Sequence, residues 1–359
     1  MTKTIAHYLS SDIKVNQEFK YRQITNLEQY RSIVIGDFPV RVSEQQYPFE
    51  YYFIDEISDW PKFIEAHGIK AIHAHSGDDA LKILPVATLY NIPLIVSFRG
   101  NDASAQKRKY KINQKKYKEL IKHGSLFLPV CRFFKGELIK LGFSEDKIKV
   151  MYGGIDTDRF YFKKINVHKK RTFNILTVGR LVEKKGFAVL IKAFSLIHKA
   201  YPRTKLIIIG NGNLEQKRKL SKIIKKYKLS NFIEIKYDIS NEQIVHVFHN
   251  ADLFCLPSHT TRNGGLEGIP NVLKEAMSCG IPVISTFHAG IPELIQHKKS
   301  GLLVKENDSK ALARAMIYLI RHPLLRKNYA IRARRKVQVH FNLANQIQVQ
   351  EQYYALIID

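Results

Sequence analysis

Short β-branched runs alternate with amphipathic helical segments along the whole chain, and one polar stretch divides the alternation in two. These observations predict an α/β protein built of two parallel-sheet domains. The length agrees, because 359 residues exceed what a single hydrophobic core usually serves. In the first half the strand candidates are 4–9, 32–35, 51–54, 71–75, 93–98, 126–130 and 147–151. In the second half they are 173–178, 205–209, 232–236, 253–256, 282–285 and 301–304. Between them lie segments such as Phe187, Leu190, Ile191, Phe194 and Ile197, spaced for one helical face. The basic stretch 163–171 (KKINVHKKR) reads as a linker between Rossmann-like domains 1–165 and 166–341, expected to face each other across a cleft.

The densest chemical information lies in 256–275, LPSHTTRNGGLEGIPNVLKE. Pro270 and Asn271 suit a helix start, and Val272, Leu273, Ala276 and Met277 recur at helical spacing. Glu267 therefore falls in the loop before the helix and Glu275 inside its first turns. Backbone N–H groups from Gly268 and Ile269 to Asn271 and Val272 then point toward whatever Glu267 approaches. A helix N-terminus beside the glycine-rich Asn263-Gly264-Gly265 favours phosphate, and a nearby carboxylate accepts hydrogen bonds from sugar hydroxyls. A nucleotide-sugar satisfies both demands. Upstream, the strand at 173–178 runs into GRLVEKKG, which puts Arg180, Lys184 and Lys185 where open parallel sheets bind ligands. Arginine offers phosphate a bidentate fork and lysine a point charge. The next strand ends in Gly210-Asn211-Gly212, where glycines admit close backbone approach, although the tripeptide is also an ordinary turn.

Taken together, GRLVEKKGFAVLIKAF, IIIGNGNL, and LPSHTTRNGGLEGIPNVLKEAMSCGIPVIST followed by HAGIPELI and SGLLV resemble the donor domain of family-four retaining glycosyltransferases of the GT-B fold, over 174–304 nearly without gaps. LPVCRFFKGELIKLGFSEDKIKVMYGGIDTDRF resembles the segment joining that family's two domains, and the helical stretch 342–359 resembles the tail that crosses back onto the N-terminal domain. The resemblance implies that Arg180 and Lys185 bind the donor diphosphate and stabilise it as it leaves. Glu275 would accept hydrogen bonds from the ribose, Glu267 would contact the transferred sugar, and amides around Gly268 and Ile269 would hold sugar and diphosphate. It further implies a retaining transfer from a nucleotide-sugar, UDP-linked by family habit, with the nucleobase near 237–240. The N-terminal half departs from the commonest pattern. LSSDIKVNQEFKYRQITNL has no glycine, unlike the Gly-Gly loop of many members, and resembles a branch associated with bacterial exopolysaccharide synthesis. A glycan or lipid-linked glycan acceptor follows from that likeness. Where many members carry a histidine before a glycine, PLIVSFRGND has Arg99 before Gly100. Arginine cannot serve as a general base, so Arg99 is expected on a donor or acceptor phosphate, or paired structurally with Asp102. His75 is expected as a polar acceptor contact or as a satisfied structural histidine.

The formal net charge of +26 calls for an anionic counterpart. It is densest at 107–122, KRKYKINQKKYKELIK, where Tyr110, Tyr117, Leu120 and Ile121 add a thin apolar stripe. A surface-lying basic helix is expected there, either a solvated face or a contact with anionic lipid through Lys109, Lys111, Lys115 and Lys116. Nucleic acid is disfavoured, since no recognition-module signature accompanies the charge. The three cysteines are scattered and odd in number, which fits buried small hydrophobes better than disulfides or zinc. Asp156-Thr157-Asp158 matches a DxD pattern and His73 and His75 share a strand face, but no metal and no cofactor beyond the sugar nucleotide is expected, since Arg180, Lys185 and the helix N-terminus supply the positive field. Asp78 and Asp79 read as loop and helix-capping residues. No apolar run is long enough to span a bilayer and the first residues lack a signal-peptide core, so a cytoplasmic location is expected, with peripheral attachment to the inner membrane face. A glycosidase using Glu267 and Glu275 would need no diphosphate site. A catalytically silent binder of anionic glycan or membrane is the remaining alternative.

Overall fold

A computed structural model describes residues 3–10, 18–37, 49–106, 108–163 and 172–358, and the counts below are of these residues. The chain divides into two compact units, Met1–Gly154 with Leu343–Asp359, and Ile155–Asn342. The boundary thus falls before the expected linker, whose residues 164–171 lie outside the described set. The reason is local. Ile155 donates to the Phe341 carbonyl at 2.9 Å, Lys163 to that of Cys279 at 3.2 Å, and the Arg334 guanidinium donates to the carbonyls of Thr157, Phe160 and Ser278 at 2.9 to 3.1 Å. The segment before the linker is therefore stitched into the second unit.

In the first unit the strands are β1 (Thr4–Leu9), β2 (Arg31–Gly36), β3 (Glu50–Phe53), β4 (Ile69–Ala74), β5 (Leu94–Phe98) and β6 (Leu126–Pro129), ordered β3-β2-β1-β4-β5-β6 and all parallel. Their helices are α1 (Glu18–Thr25), α2 (Trp60–His67), α3 (Gly77–Leu89), α4 (Arg108–Lys116), α5 (Lys118–His123) and α6 (Arg132–Lys140). The tail helix α14 (Leu343–Ile358) belongs to this unit: Tyr354 joins the core of Ile5, Ala71, Ile95 and Leu128, and Glu351 accepts the N–H groups of Glu28 and Gln29 at 2.6 and 2.7 Å. Two expectations change. Residues 147–151 run parallel beside β6, bonded by Phe127 N–H to Lys147 (2.8 Å), Lys149 N–H to Phe127 (3.0 Å) and Met151 N–H to Pro129 (3.0 Å), but form a single bridge, Phe127 to Ile148, instead of a full strand, because Pro129 has no N–H to continue the ladder. The basic segment is two helices broken at Tyr117, and the apolar stripe is a core face, since Tyr117 and Leu120 are fully buried and Tyr117 packs edge-on against Phe98.

The second unit repeats the architecture with β7 (Phe173–Val178), β8 (Thr204–Ile209), β9 (Ile233–Lys236), β10 (Leu253–Cys255), β11 (Val283–Thr286) and β12 (Leu302–Val304), ordered β12-β11-β10-β7-β8-β9. Helices α7 (Phe187–Ala200), α8 (Leu214–Lys226), α9 (Asn241–His249), α10 (Asn271–Ser278), α11 (Ile291–Leu294), α12 (Ser309–Arg321) and α13 (Pro323–His340) complete it. The apolar face read from the sequence, Phe187, Leu190, Ile191, Phe194 and Ile197, is buried against β8 and α12 residues such as Leu206, Ile208, Leu312 and Met316. Strand order reverses between β1 and β4 in one unit and between β7 and β10 in the other. At such reversals the loops leaving neighbouring strands diverge and open a crevice at the carboxyl edge.

Candidate functional site

The reversal in the second unit explains why two motifs about eighty residues apart in the chain meet. Strand β7 delivers Gly179-Arg180 and the turn carrying Lys184 and Lys185, while its neighbour β10 delivers the loop that ends in Glu267 and α10. Gly186, with a φ of 72°, locks the two loops together, because a Cβ there would collide with the Pro257 carbonyl. At the next strand a Cβ on Gly210 would strike the carbonyl of Gly179, so the glycine expected for ligand approach also serves close backbone packing. Asn211 exchanges hydrogen bonds with Asp238 (Nδ2 to Oδ1, 2.7 Å), which brings the loop containing Gly212 against 237–240.

Glu267 sits between the two lysines, its Oε2 3.2 Å from Lys184 Nζ and its Oε1 3.1 Å from Lys185 Nζ. Lys184 Nζ also donates to the Leu266 carbonyl at 3.0 Å. Burial alone would raise the Glu267 carboxyl, but Lys185 and then Lys184 outweigh it and hold it at about 2. Each carboxylate oxygen thus faces one ammonium group. Arg180 is exposed and makes no ion pair among the described residues. Helix α10 starts at Asn271 after Pro270 with no side-chain cap, so the early amides at Asn271 and Val272 keep their donors. Gly268 is buried in the same loop and Ile269 half-buried, while Glu275 is half-buried one turn into the helix. Lys184 and Lys185 together exceed Glu267 by one positive charge at the entry to a helix N-terminus. Sequence reasoning named all of these side chains and missed two others. His288 Nε2 accepts the Glu267 N–H at 3.1 Å, and Glu306 lies 2.7 Å from His288 Nδ1. No spacing signal marks either residue. A cavity of about 610 Å³ opens nearby at the starts of α7 and α8, lined by Gly186, Phe187, Asn213, Gln216 and His259, but not by Arg180, Lys184 or Lys185.

In the first unit His7, His73 and His75 gather with ligand atoms within 4.8 Å of one another, all fully buried. Hydrogen bonds already engage all six ring nitrogens. Gln350 donates to the Tyr354 hydroxyl at 2.6 Å, and His73 bonds that hydroxyl through Nδ1 at 2.6 Å and Ser97 through Nε2 at 2.9 Å. Arg99 donates to His75 Nδ1 at 3.1 Å, so His75 Nε2–H serves His7 Nδ1 at 3.0 Å and His7 Nε2 faces Ser32 at 3.5 Å. Burial holds His7 at about 3 and keeps His73 and His75 well below the usual imidazole range. Arg99 also donates to Gln23 at 2.7 Å, and burial lowers it to about 10. Asp102 caps backbone instead, accepting from the N–H groups of Arg99 and Gly100 at 3.3 and 2.8 Å. Asp156 of the DxD-like triplet does the same for Asp158 and Arg159 at 3.0 and 2.9 Å. Ser76, not Asp78 or Asp79, caps α3; Asp79 accepts from Ser10 Oγ at 2.5 Å and Asp78 pairs with Lys116. That pairing is a surface one: Lys111, Lys115 and Lys116 are all exposed and Lys109 half-exposed. All three cysteines are buried and free.

Two family models cover most of the chain: Glycosyltransferase Family 4 matches 20–159, and Glycosyl transferases group 1 matches 158–336. The chain belongs to the group 1, family 4 glycosyltransferases. Among similar members, the amylovoran biosynthesis glycosyltransferase AmsK of Erwinia amylovora is 35% identical over 248 residues, 69% of this chain and 60% of that protein. A GDP-mannose-dependent monoacylated alpha-(1-6)-phosphatidylinositol monomannoside mannosyltransferase of Corynebacterium glutamicum is 31% identical over 168 residues, 46% of this chain and 42% of that protein. The chain spans about half the length of the curated relatives it matches. The glycosyltransferase fold is shared with Anabaena HepE, solved in complex with UDP, at a TM-score of 0.82 and 18% identity, covering 98% of this chain and 99% of that one. The GT-B architecture expected from the sequence is therefore the one found, as two parallel six-stranded Rossmann-like units.

Proposed function

We propose that this protein transfers a sugar from a nucleotide-sugar, with retention and without a metal ion, to a glycan or lipid-linked glycan during synthesis of a bacterial exopolysaccharide. One observation carries the reading: a carboxylate clamped by Lys184 and Lys185 just before an uncapped helix N-terminus, with Arg180 exposed at the end of the neighbouring strand β7. Sugar hydroxyls suit the carboxylate, and a diphosphate suits the cations and amides. Departure of the nucleoside diphosphate builds negative charge, and Arg180, Lys184, Lys185 and the helix amides stabilise it in the transition state more than in the ground state. A departing phosphate oxygen then takes the acceptor proton on the same face, which yields retention. The donor is a UDP-hexose in this reading, in keeping with the UDP held by HepE, and the exopolysaccharide role follows the name of AmsK. Lys109, Lys111 and Lys115 hold the first unit on anionic lipid, where lipid-linked acceptors reside.

A thermal-shift panel of nucleotide-sugars, including UDP-glucose and GDP-mannose, tests the donor, since a ligand at 100 times its Kd stabilises by about 2.7 kcal/mol. Turnover that persists in EDTA supports metal independence; loss in EDTA with recovery on adding manganese overturns it. A protein that binds a nucleotide-sugar yet never releases its sugar, to water or to acceptor, is a binding protein and not an enzyme.

A further inference from the structure

We infer that His288 and Glu306 form a positioning pair that sets the backbone at Glu267 and so aims the carboxylate that meets the sugar. The inference rests on the role proposed above for Glu267. Its geometry fixes a proton position. The Glu267 N–H donates to His288 Nε2 at 3.1 Å, so that nitrogen is unprotonated, and Nδ1, 2.7 Å from Glu306 Oε1, carries the proton and donates it to the carboxylate. The opposite tautomer would set two N–H groups against each other. The other oxygen of Glu306 accepts the Thr260 N–H at 2.8 Å. Burial would raise the Glu306 carboxyl, and its bonds from His288 and Thr260 bring it below the usual range.

One imidazole and one carboxylate thus tie three loops: Thr260 and Glu267 after β10, His288 after β11, and Glu306 after β12. His288 is fully buried, so a Glu267 N–H deprived of its acceptor has little water to turn to. The pair matters most when the donor arrives. Lys184 and Lys185 hold the Glu267 side chain until a diphosphate competes for them, and from then on the backbone anchor keeps the carboxylate in register. Neither residue touches the substrate in this scheme. Both act through Glu267.

The test uses the full chain with UDP-glucose or GDP-mannose, whichever the wild type hydrolyses, and the matching nucleoside diphosphate for direct binding. His288→Ala is expected to lower kcat about 100-fold, the order of loss produced by a misplacement of about 1 Å, with diphosphate affinity within a factor of two of wild type. His288→Gln, whose amide can supply an acceptor to Glu267 and a donor to Glu306, is expected to recover most of that loss. Parallel losses in kcat and diphosphate affinity, or a folded His288→Gln no better than His288→Ala, overturn the pair. Nitrogen-15 NMR of histidine-labelled protein, with His288→Gln for assignment, reads the tautomer without any activity; a proton on Nε2 overturns the inference directly. Wild-type turnover in Glu267→Gln would instead sink the role of Glu267, whereas unchanged kcat in His288→Ala beside an impaired Glu267→Gln would sink the pair alone.

Discussion

The two units share a six-stranded parallel sheet with the same reversal of strand order, yet they use the carboxyl edge at that reversal in opposite ways. In the first unit the edge is occupied from within. His7, His73 and His75 are neutral, fully buried and bonded to one another's neighbours, and α14 closes over them with Tyr354 and Gln350. In the second unit the edge is charged, with Lys185 buried against Glu267, Arg180 exposed and α10 uncapped. A parallel sheet provides the crevice, and the side chains decide whether it is filled by the chain itself or kept for a ligand.

Acid should separate the units most. The three histidines have folded-state pKa values below the unfolded value near 6.5, so the unfolded chain binds more protons as pH drops; the stability they contribute is complete above about 6.5 and is lost as pH falls below it. Three such sites weaken the first unit by roughly 4 kcal/mol at a pH one unit below that value. Glu267 behaves differently: its contribution to the second unit is present above the usual carboxylate range near 4.3 and is lost only toward about 2. The single tryptophan, Trp60, lies in the first unit and reports on it by fluorescence. Its transition should come at higher pH than the loss of nucleotide binding by the second unit. Coincident transitions would erase the contrast.

Arg180→Ala should come next, lowering kcat about 100-fold or more with little change in melting temperature, because an exposed cation is lost from the developing charge and none from the core. A melting shift in place of the kinetic one would show that the second unit also spends its edge on stability. Glu275→Ala should weaken binding of the free nucleoside diphosphate by about 1 to 3 kcal/mol in calorimetry, through a lost ribose partner, and leave the first unit untouched. Glu351→Gln should cost about 1 to 2 kcal/mol of first-unit stability in Trp60-monitored denaturation, since a charged acceptor for two backbone N–H groups becomes neutral. Per residue, the smallest effect concerns surface charge. Replacing Lys109, Lys111 and Lys115 with Gln should weaken sedimentation with anionic vesicles at low salt by about 1 kcal/mol per residue, with turnover on a soluble acceptor analogue preserved. Unaltered sedimentation would leave the basic helices as a solvated face.

Much of the fold was legible because it is periodic. Strands β1 and β7 occupy the expected residues, and the apolar stripe from Phe187 to Ile197 is the core face of α7. Residues 147–151 show the limit: they have strand composition, but a strand needs a ladder, and ladder length is a property of the partner. The stripe through Tyr117 and Leu120 shows another, since an apolar face names a burial requirement without saying whether core or membrane meets it.

Arg180, Lys184, Lys185 and the two glutamates could be singled out from sequence because each sits in a local signal: glycine beside Arg180, a turn carrying Lys184 and Lys185, Pro270 and Asn271 opening a helix between Glu267 and Glu275. Local chemistry alone determined the two parallel sheets and the helix start after Glu267. What only tertiary structure decided is who meets whom. Lys184 and Lys185 close on Glu267 because β7 and β10 are neighbours, His288 and Glu306 join them because β11 and β12 follow in the same sheet, and His7 completes a histidine cluster because β1 lies beside β4. Those partners lie from about 20 to more than 80 residues apart in the chain, and no local periodicity links them. Strand order sets such contacts, and it is selected by burying the whole apolar surface at once, a sum over both sheets that no single segment carries.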